Sequence, residues 1–580
     1  MYRFASAYQG AIRKMLQKSW VCAGVGVVAG LLLHSAAARS GDVVWYKTMP
    51  AIIPAPATTF GLYRGTDFRL TKGACKDCTT SQQALWYFRD ELLLVPSDGV
   101  PTAGFTPGIS AQEDVKRWYA SATPEDLQAR PPLLWVGSSH KARNVTLVDG
   151  DVLRFKDGHD VPFKTVDKIK TNQSYYDSGS KAYFQQRTLR LRGESRDGAF
   201  VARTIWPEDW ALDEKPLRVQ ALQPGESLLG LVRKYRSARD ERFETRLLWE
   251  KTPGEARDWS GRAVIGILLN GAQGDDDEAH GGHFAIATGR HGKGSEMADW
   301  TVNNFYNLAS HSEKGIIASM LPMDNYLADL NSGQSWYRPS YMLVAVLKND
   351  RAAFAYQAAI ARVYQHLYRQ GFQYSHASAN CAGISMDTLR TLGWNIPLQG
   401  PTSTAKAIAA YPLKSFTDKS FASGKQAYDY LIEEQSRLYP AAAYDAAGRD
   451  LLRIAAGGAS ASTLTDAKAL DTLLREDLEA LVFVRIPQLP SSLAFCSYPV
   501  ASIDEYLKRA PEDKAQWKIV PVEPRPFPQA LMAADVAPAR PMPPWAPAAG
   551  ALALLGGLVG VGAMRMMRKR RARSEDVKPD

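Results

Sequence analysis

Two short segments about a hundred residues apart hold the side chains of this chain that could react together. The first, Gly281-Gly282-His283-Phe284-Ala285-Ile286-Ala287-Thr288-Gly289, opens a strand-like run on a histidine. The second, Ser378-Ala379-Asn380-Cys381-Ala382-Gly383-Ile384-Ser385-Met386, sets a cysteine behind a helix-initiating asparagine. A thiolate that attacks and an imidazole that controls its proton are the minimum set for acyl-transfer chemistry. In the first turn of a helix, unsatisfied N–H groups carry partial positive charge, so Cys381 is expected to favour the thiolate. Asn380 caps that helix and shapes the approach. Backbone N–H groups at the same helix start are the expected oxyanion donors.

His283 follows two glycines, which permit a tight turn and a close backbone approach at Gly282. Strand alternation puts His283, Ala285 and Ala287 on one face and Phe284 and Ile286 on the other, leaving room beside the imidazole. His280, in the loop, and His291, in a Gly-rich turn, are rival bases. A third polar residue should orient the base. The next apolar strand, Trp300 to Tyr306, offers Asn303 and Asn304, with Asp299 just before it. Asn303 is the expected orienting residue and Asn304 a shaping one.

Two competing readings stand beside this one. Asp275-Asp276-Asp277-Glu278 with His280 and His283 could gather a metal, but adjacent carboxylates usually form a solvated turn, so no metal or cofactor is expected. Cys381 could instead pair with Cys496, which would remove the nucleophile. Cys75 and Cys78, in Cys-Lys-Asp-Cys, are expected to form a structural disulfide in an exported body.

The elements that must position these residues follow from periodicity. Residues 41–130 read as mixed α/β and 131–222 as a β-rich domain, with strands around Asp149-Gly150 and Asp157-Gly158 turns. Residues 225–400 read as an α+β domain that carries the chemistry. Its strand candidates are Val264 to Leu269, Phe284 to Thr288, Trp300 to Tyr306 and Tyr341 to Leu347. A helix over Ala352 to Gln370 shows apolar Tyr356, Ile360, Val363 and Leu367 at helical spacing. Residues 401–520 read as mostly helical, and 521–544 as a Pro-rich tether.

The net charge of +10 does not imply nucleic acid. Residues 1–18 and the tail 565–580 each carry +4, leaving about +2 for the long middle, without a basic stripe. Those charged ends flank apolar runs. Ser19 to Ala38 reads as a signal peptide cleaved after Ala36-Ala37-Ala38 or as a retained signal anchor. Trp545 to Met564 is twenty residues without a charge, followed by Arg565, Arg568, Lys569, Arg570, Arg571 and Arg573. Its length and basic flank read as a transmembrane helix with a cytoplasmic tail. A processed sorting tail is the weaker alternative.

Gly282-His283, then Val302 to Phe305, then Asn380-Cys381, with Gly333-Gln334 and Arg338-Pro339 between, resembles the Lnb-type periplasmic lipoprotein transacylase domain family. Histidine before cysteine is the reverse of papain order and is similar to the circularly permuted NlpC/LRAT-like thiol fold. The likeness covers roughly residues 260–400. It implies a permuted papain-like domain on the periplasmic side of a bacterial inner membrane. Cys381 would attack a carbonyl, His283 would shuttle the proton and Asn303 would orient it. Membrane lipid, a lipid-linked or lipoprotein substrate, or a cell-wall peptide are the expected partners. A non-enzymatic envelope scaffold is the remaining alternative.

Overall fold

Eight-residue runs with no charged side chain, such as 263–270 and 340–347, have no polar face to offer water. Both become central strands buried on both sides. The computed structural model describes residues 106–508, apart from 107, 124–139, 169–175, 235–241, 254–256, 273–280, 293–296, 307–309, 312–317, 369–370, 459–466, 492–498, 503 and 506–507, together with 61–64, 92–95 and 523–524. Cys75, Cys78, Cys496, the acidic run 275–278 with His280, and the apolar segments 19–38 and 545–564 lie outside the described residues. So do the tail 565–580 and all of the tether except 523–524. Among the described residues, no helix is long and apolar enough to cross a membrane.

Helix α1 (Ala111–Ser121) follows the antiparallel pair Gly61–Arg64 and Leu92–Val95, its N-terminus capped by Ser110, whose side chain accepts from Glu113 N–H. Strands β1 (His140–Val148), β2 (Val152–Arg154) and β3 (Asp160–Thr165), helix α2 (Ser178–Gln185), and strands β4 (Leu189–Arg196) and β5 (Ala199–Pro207) follow. The five strands close a barrel in the order β1-β2-β3-β5-β4, antiparallel except where β3 meets β5.

Helix α3 (Leu228–Val232) and strands β6 (Glu244–Glu250), β7 (Ala263–Asn270), β8 (His283–Arg290), β9 (Thr301–Asn304) and β10 (Ser319–Pro322) come next, then helix α4 (Met323–Ala328) and strand β11 (Ser340–Leu347). The helices α5 (Arg351–Tyr368), α6 (Cys381–Thr391), α7 (Thr404–Thr417), α8 (Phe421–Ile432), α9 (Pro440–Ala455) and α10 (Leu470–Asp477) lead to strand β12 (Leu478–Ile486). One seven-stranded antiparallel sheet results, in the order β10-β9-β8-β7-β11-β12-β6. The molecule is a mixed α+β protein.

The sheet separates two cores. Ile265, Ile267, Leu269, Phe284 and Ile286 face a helical layer built from α1, α5, α6 and α9. Val264, Leu268, Ala285, Ala287 and Val302 face the barrel side with Trp206, Trp210 and Leu191. The alternation expected along β8 is therefore the alternation between these two layers.

Two boundaries differ from the sequence reading. Helix α1 is no part of a separate N-terminal region. Ala111, Val115 and Tyr119 sit in the helical core, and buried Asp114 accepts from Arg362 (2.7 Å), His366 (2.8 Å) and Thr106 N–H (3.1 Å). The region 401–520, read as mostly helical, also contributes β12, which pairs along its length with β11. Both differences arise because a core is assembled from segments hundreds of residues apart, which local periodicity does not link.

Candidate functional site

Strand β8 begins at His283 because Gly282 makes the turn that delivers it. Gly282 has φ +75°, and a Cβ there would lie 2.6 Å from both Asn270 O and Pro499 Cβ. Only glycine lets the chain pass so close to β7 and enter the strand at that register. His283 is buried, and its Nε2 lies 2.7 Å from Asn304 Oδ1. An amide oxygen accepts only, so Nε2 carries the proton and Nδ1 holds the lone pair. Asn304 is itself anchored where Tyr364, on α5, donates to its carbonyl at 2.8 Å.

Asn303 does not orient the histidine. The register pairs Ile286 with Asn303, so Asn303 lies on the helical face. Its Nδ2 donates to Ile286 O (3.1 Å) and to Gln357 Oε1 (3.2 Å) on α5. Asn304, one step along, falls on the face of His283. Asp299 pairs with Arg190 at 2.5 Å on the barrel side. His291 is the residue after β8's last, buried against Glu214 at 3.0 Å. Eight residues of strand place it roughly 26 Å from His283, too far to share a site.

Cys381 starts α6, as the cap predicts. Asn380 Oδ1 accepts from Ala382 and Gly383 N–H, both at 2.9 Å. The other end of the Asn380 amide donates to His376 O (2.9 Å) and Leu438 O (3.0 Å), so all of its capacity holds the nucleophile's turn in place. The thiol is free. Phe284 N–H, Tyr374 OH and Ala382 N–H lie around its sulfur and act to favour the thiolate. Phe284 N–H is available because β9 ends at Asn304, one register step short of it. The structure therefore brings Cys381 to the residue that immediately follows His283.

The electrostatics differ from the expectation of a resting thiolate. Burial raises the Cys381 pKa above the ordinary thiol value, outweighing the three hydrogen bonds and the Arg338 charge, which act to lower it. Burial also pushes His283 down to about 3, with Arg338 repelling the imidazolium and the Asn304 bond acting the other way. Both groups rest neutral at pH 7. The site thus holds a neutral imidazole and a neutral thiol, not a standing ion pair.

Four further residues close the site and were not singled out as functional from sequence. Arg338 donates from Nε to Gln334 Oε1 at 2.8 Å and towards Gly271 O at 3.4 Å, and its charge is felt at His283, Cys381 and Tyr326. Tyr326, whose ring centroid is 6.5 Å from that of His283, donates to Asn270 Oδ1. Asn270 Nδ2 donates to Ser340 Oγ at 2.8 Å. Tyr374 accepts from Cys381 N–H at 3.4 Å. A polar residue ending an otherwise apolar strand was the available signal for Asn270; nothing local marks the two tyrosines.

The helix start offers less to an oxyanion than expected. Ala382 and Gly383 N–H are already taken by Asn380, leaving the long Cys381 N–H bond as the weakest commitment there. Among the described residues, no group of three His, Cys, Asp or Glu side chains could hold a metal. A cleft of about 640 Å³ lined by Tyr183, Arg187, Trp210 and Pro490 lies elsewhere, and none of the site residues lines it. No protein family, curated protein or solved structure matches the chain.

Proposed function

We propose that this chain is a thiol enzyme that transfers or hydrolyses an acyl group at the face of a membrane. The observation that carries the reading is the placement of a free, buried Cys381 at a capped helix start near Phe284 N–H, itself next in the chain to a neutral His283 whose Nε2 is held by Asn304. The lone pair on Nδ1 takes the thiol proton as sulfur attacks the carbonyl carbon. The oxyanion draws on Cys381 N–H, on Phe284 N–H as the sulfur leaves it, and on the Arg338 charge. Imidazolium returns the proton to the leaving oxygen or nitrogen, giving a thioester on Cys381. An incoming amine, alcohol or water, deprotonated by His283, attacks the thioester and releases the acyl group.

A nucleophile helix packed on antiparallel strands, with the base on a strand earlier in the chain, is compatible with the permuted papain-like arrangement that the motif order suggested. The uncharged segment 545–564 and its basic flank support placing the site beside a bilayer. A lipid-linked acyl donor, such as a lipoprotein or phospholipid, fits that placement.

The test is to reconstitute the full chain in vesicles with phospholipid or lipoprotein bearing an alkyne-tagged acyl chain. We expect a hydroxylamine-sensitive tag on Cys381 that is lost in Cys381→Ser and reduced at least about a hundredfold in His283→Ala. Release of a peptide from cell-wall fragments without any acyl tag would replace this substrate with an amide. Absence of both, with Cys381 found in a disulfide, would overturn the enzymatic reading.

A further inference from the structure

The α7–α8 hairpin has a small alanine-lined seam and leaves its largest apolar side chains outside. Its seam is Ala407, Ala410, Ala427 and Leu431, closed so tightly that a Cβ on Gly424 would meet Tyr411 O at 2.4 Å. Lys414 is buried, its ammonium 2.7 Å from Asp418. The outward stripe of α7, at four-residue spacing, is Thr404, Ile408, Pro412 and Phe416, all exposed. Phe416 is 86% exposed and Phe421, just across the turn, is 60% exposed. Of the five large apolar side chains exposed among the described residues, four lie within 398–421. Scattered exposed apolar residues need no explanation, but a concentration in one projecting element does.

The segments flanking the hairpin touch the helix that carries Cys381. Arg390, in the last turn of α6, reaches Glu434 at 3.3 Å and Ser436 at 2.9 Å, while Gln399 N–H donates to Glu434 at 2.7 Å. The hairpin therefore leaves the body close to that helix.

We infer that the tip is a bilayer-docking element. Phe416 and Phe421 enter the boundary between headgroups and acyl chains, and exposed Lys419 between them stays among anionic headgroups. Two rings flanking the Asp418-Lys419-Ser420 turn make a convex knob. Two rings and one lysine are a small contact beside the roughly 20–30 residues a side of a stable protein interface, whereas lipid closes around them. The chain beyond residue 508 supports the same occupant. It carries the uncharged segment 545–564 with its basic flank, behind the Pro-rich stretch 521–544. A second contact at the hairpin would fix the orientation of a body held beside that membrane. The inference rests on the membrane-side placement proposed above, but not on the acyl chemistry.

The test uses the full chain in phosphatidylethanolamine–phosphatidylglycerol vesicles, with Phe416 replaced by the photocrosslinker p-benzoylphenylalanine. A matched protein carries the crosslinker at Asp157, exposed on the barrel. After irradiation we expect phospholipid adducts at 416 in excess over 157 by about tenfold or more, the ratio expected for moving one phenyl ring out of water. Crosslinks from 416 to a second copy of the chain, or lipid adducts no more frequent than at 157, would overturn it. Acyl-thioester formation on Cys381 is read separately, so lipid adducts without an acyl-enzyme would sink the chemistry and leave the docking element standing.

Discussion

Replacing Asn304 with aspartate tests the assignment of base, tautomer and resting charge together. The substitution puts a carboxylate where an amide oxygen now sits, 2.7 Å from His283 Nε2. With a charge separation of about 4 Å and an effective dielectric constant of about 20, the imidazolium gains about 4 kcal/mol, or about three pKa units. From its present value of about 3, His283 would rise to about 6. The thiolate–imidazolium form then gains up to about a thousandfold over the neutral pair. The assay is alkylation of Cys381 by iodoacetamide between pH 5 and pH 9, read by peptide mass spectrometry. In the parent protein the thiol pKa lies above its ordinary value and no ion pair exists, so the rate should fall about tenfold per pH unit on acidification. In Asn304→Asp it should be nearly level above about pH 6, where the thiolate–imidazolium pair forms without net loss of a proton, and fall only below that. Equal slopes in the two proteins, or the same levelling in Asn303→Asp, would refute the geometry.

Three other outcomes follow from the same contacts. His283 is held neutral below its unfolded pKa, so the unfolded chain binds the extra proton between about pH 6.5 and pH 3 and stability falls as pH falls through that window. Between pH 7 and pH 5 the parent should lose about 2 kcal/mol more than His283→Gln in urea unfolding, and parallel curves would remove the burial argument. Gly282→Ala adds a methyl within 2.6 Å of Asn270 O at a φ of +75°. It should cost about 2 kcal/mol or more in thermal unfolding and abolish reaction at Cys381; a silent variant would mean the turn is not strained. Asp114→Ala strands buried Arg362 and should destabilise the protein by about 3–5 kcal/mol. A loss below about 1 kcal/mol would return α1 to a separate region.

The helix opening at Cys381 and the strand opening at His283 were legible because their signals are local. A capping asparagine, paired glycines and period-two alternation act over a few residues, and physics at that range is written directly in residue order. Which face of β9 meets the imidazole was not legible. Asn303 and Asn304 are identical side chains one residue apart, and only pairing with β8 places one towards His283 and the other towards Gln357. Tyr326 and Tyr374 escaped for the same reason, since each reaches the site through contacts its own neighbours do not foretell, while Arg338 stood in the quoted motif without a role.

Residue order by itself determined the pair of reactive types, the order of base before nucleophile, the α+β class and the helix cap that holds the sulfur. Tertiary structure alone decided that Asn304 holds the His283 imidazole, that α1 and β12 complete the layers around the candidate site, and that burial leaves both groups neutral. The division follows from range. Backbone propensity and capping are settled within a turn or two, whereas register, burial and the charge state they impose exist only once distant segments have packed together.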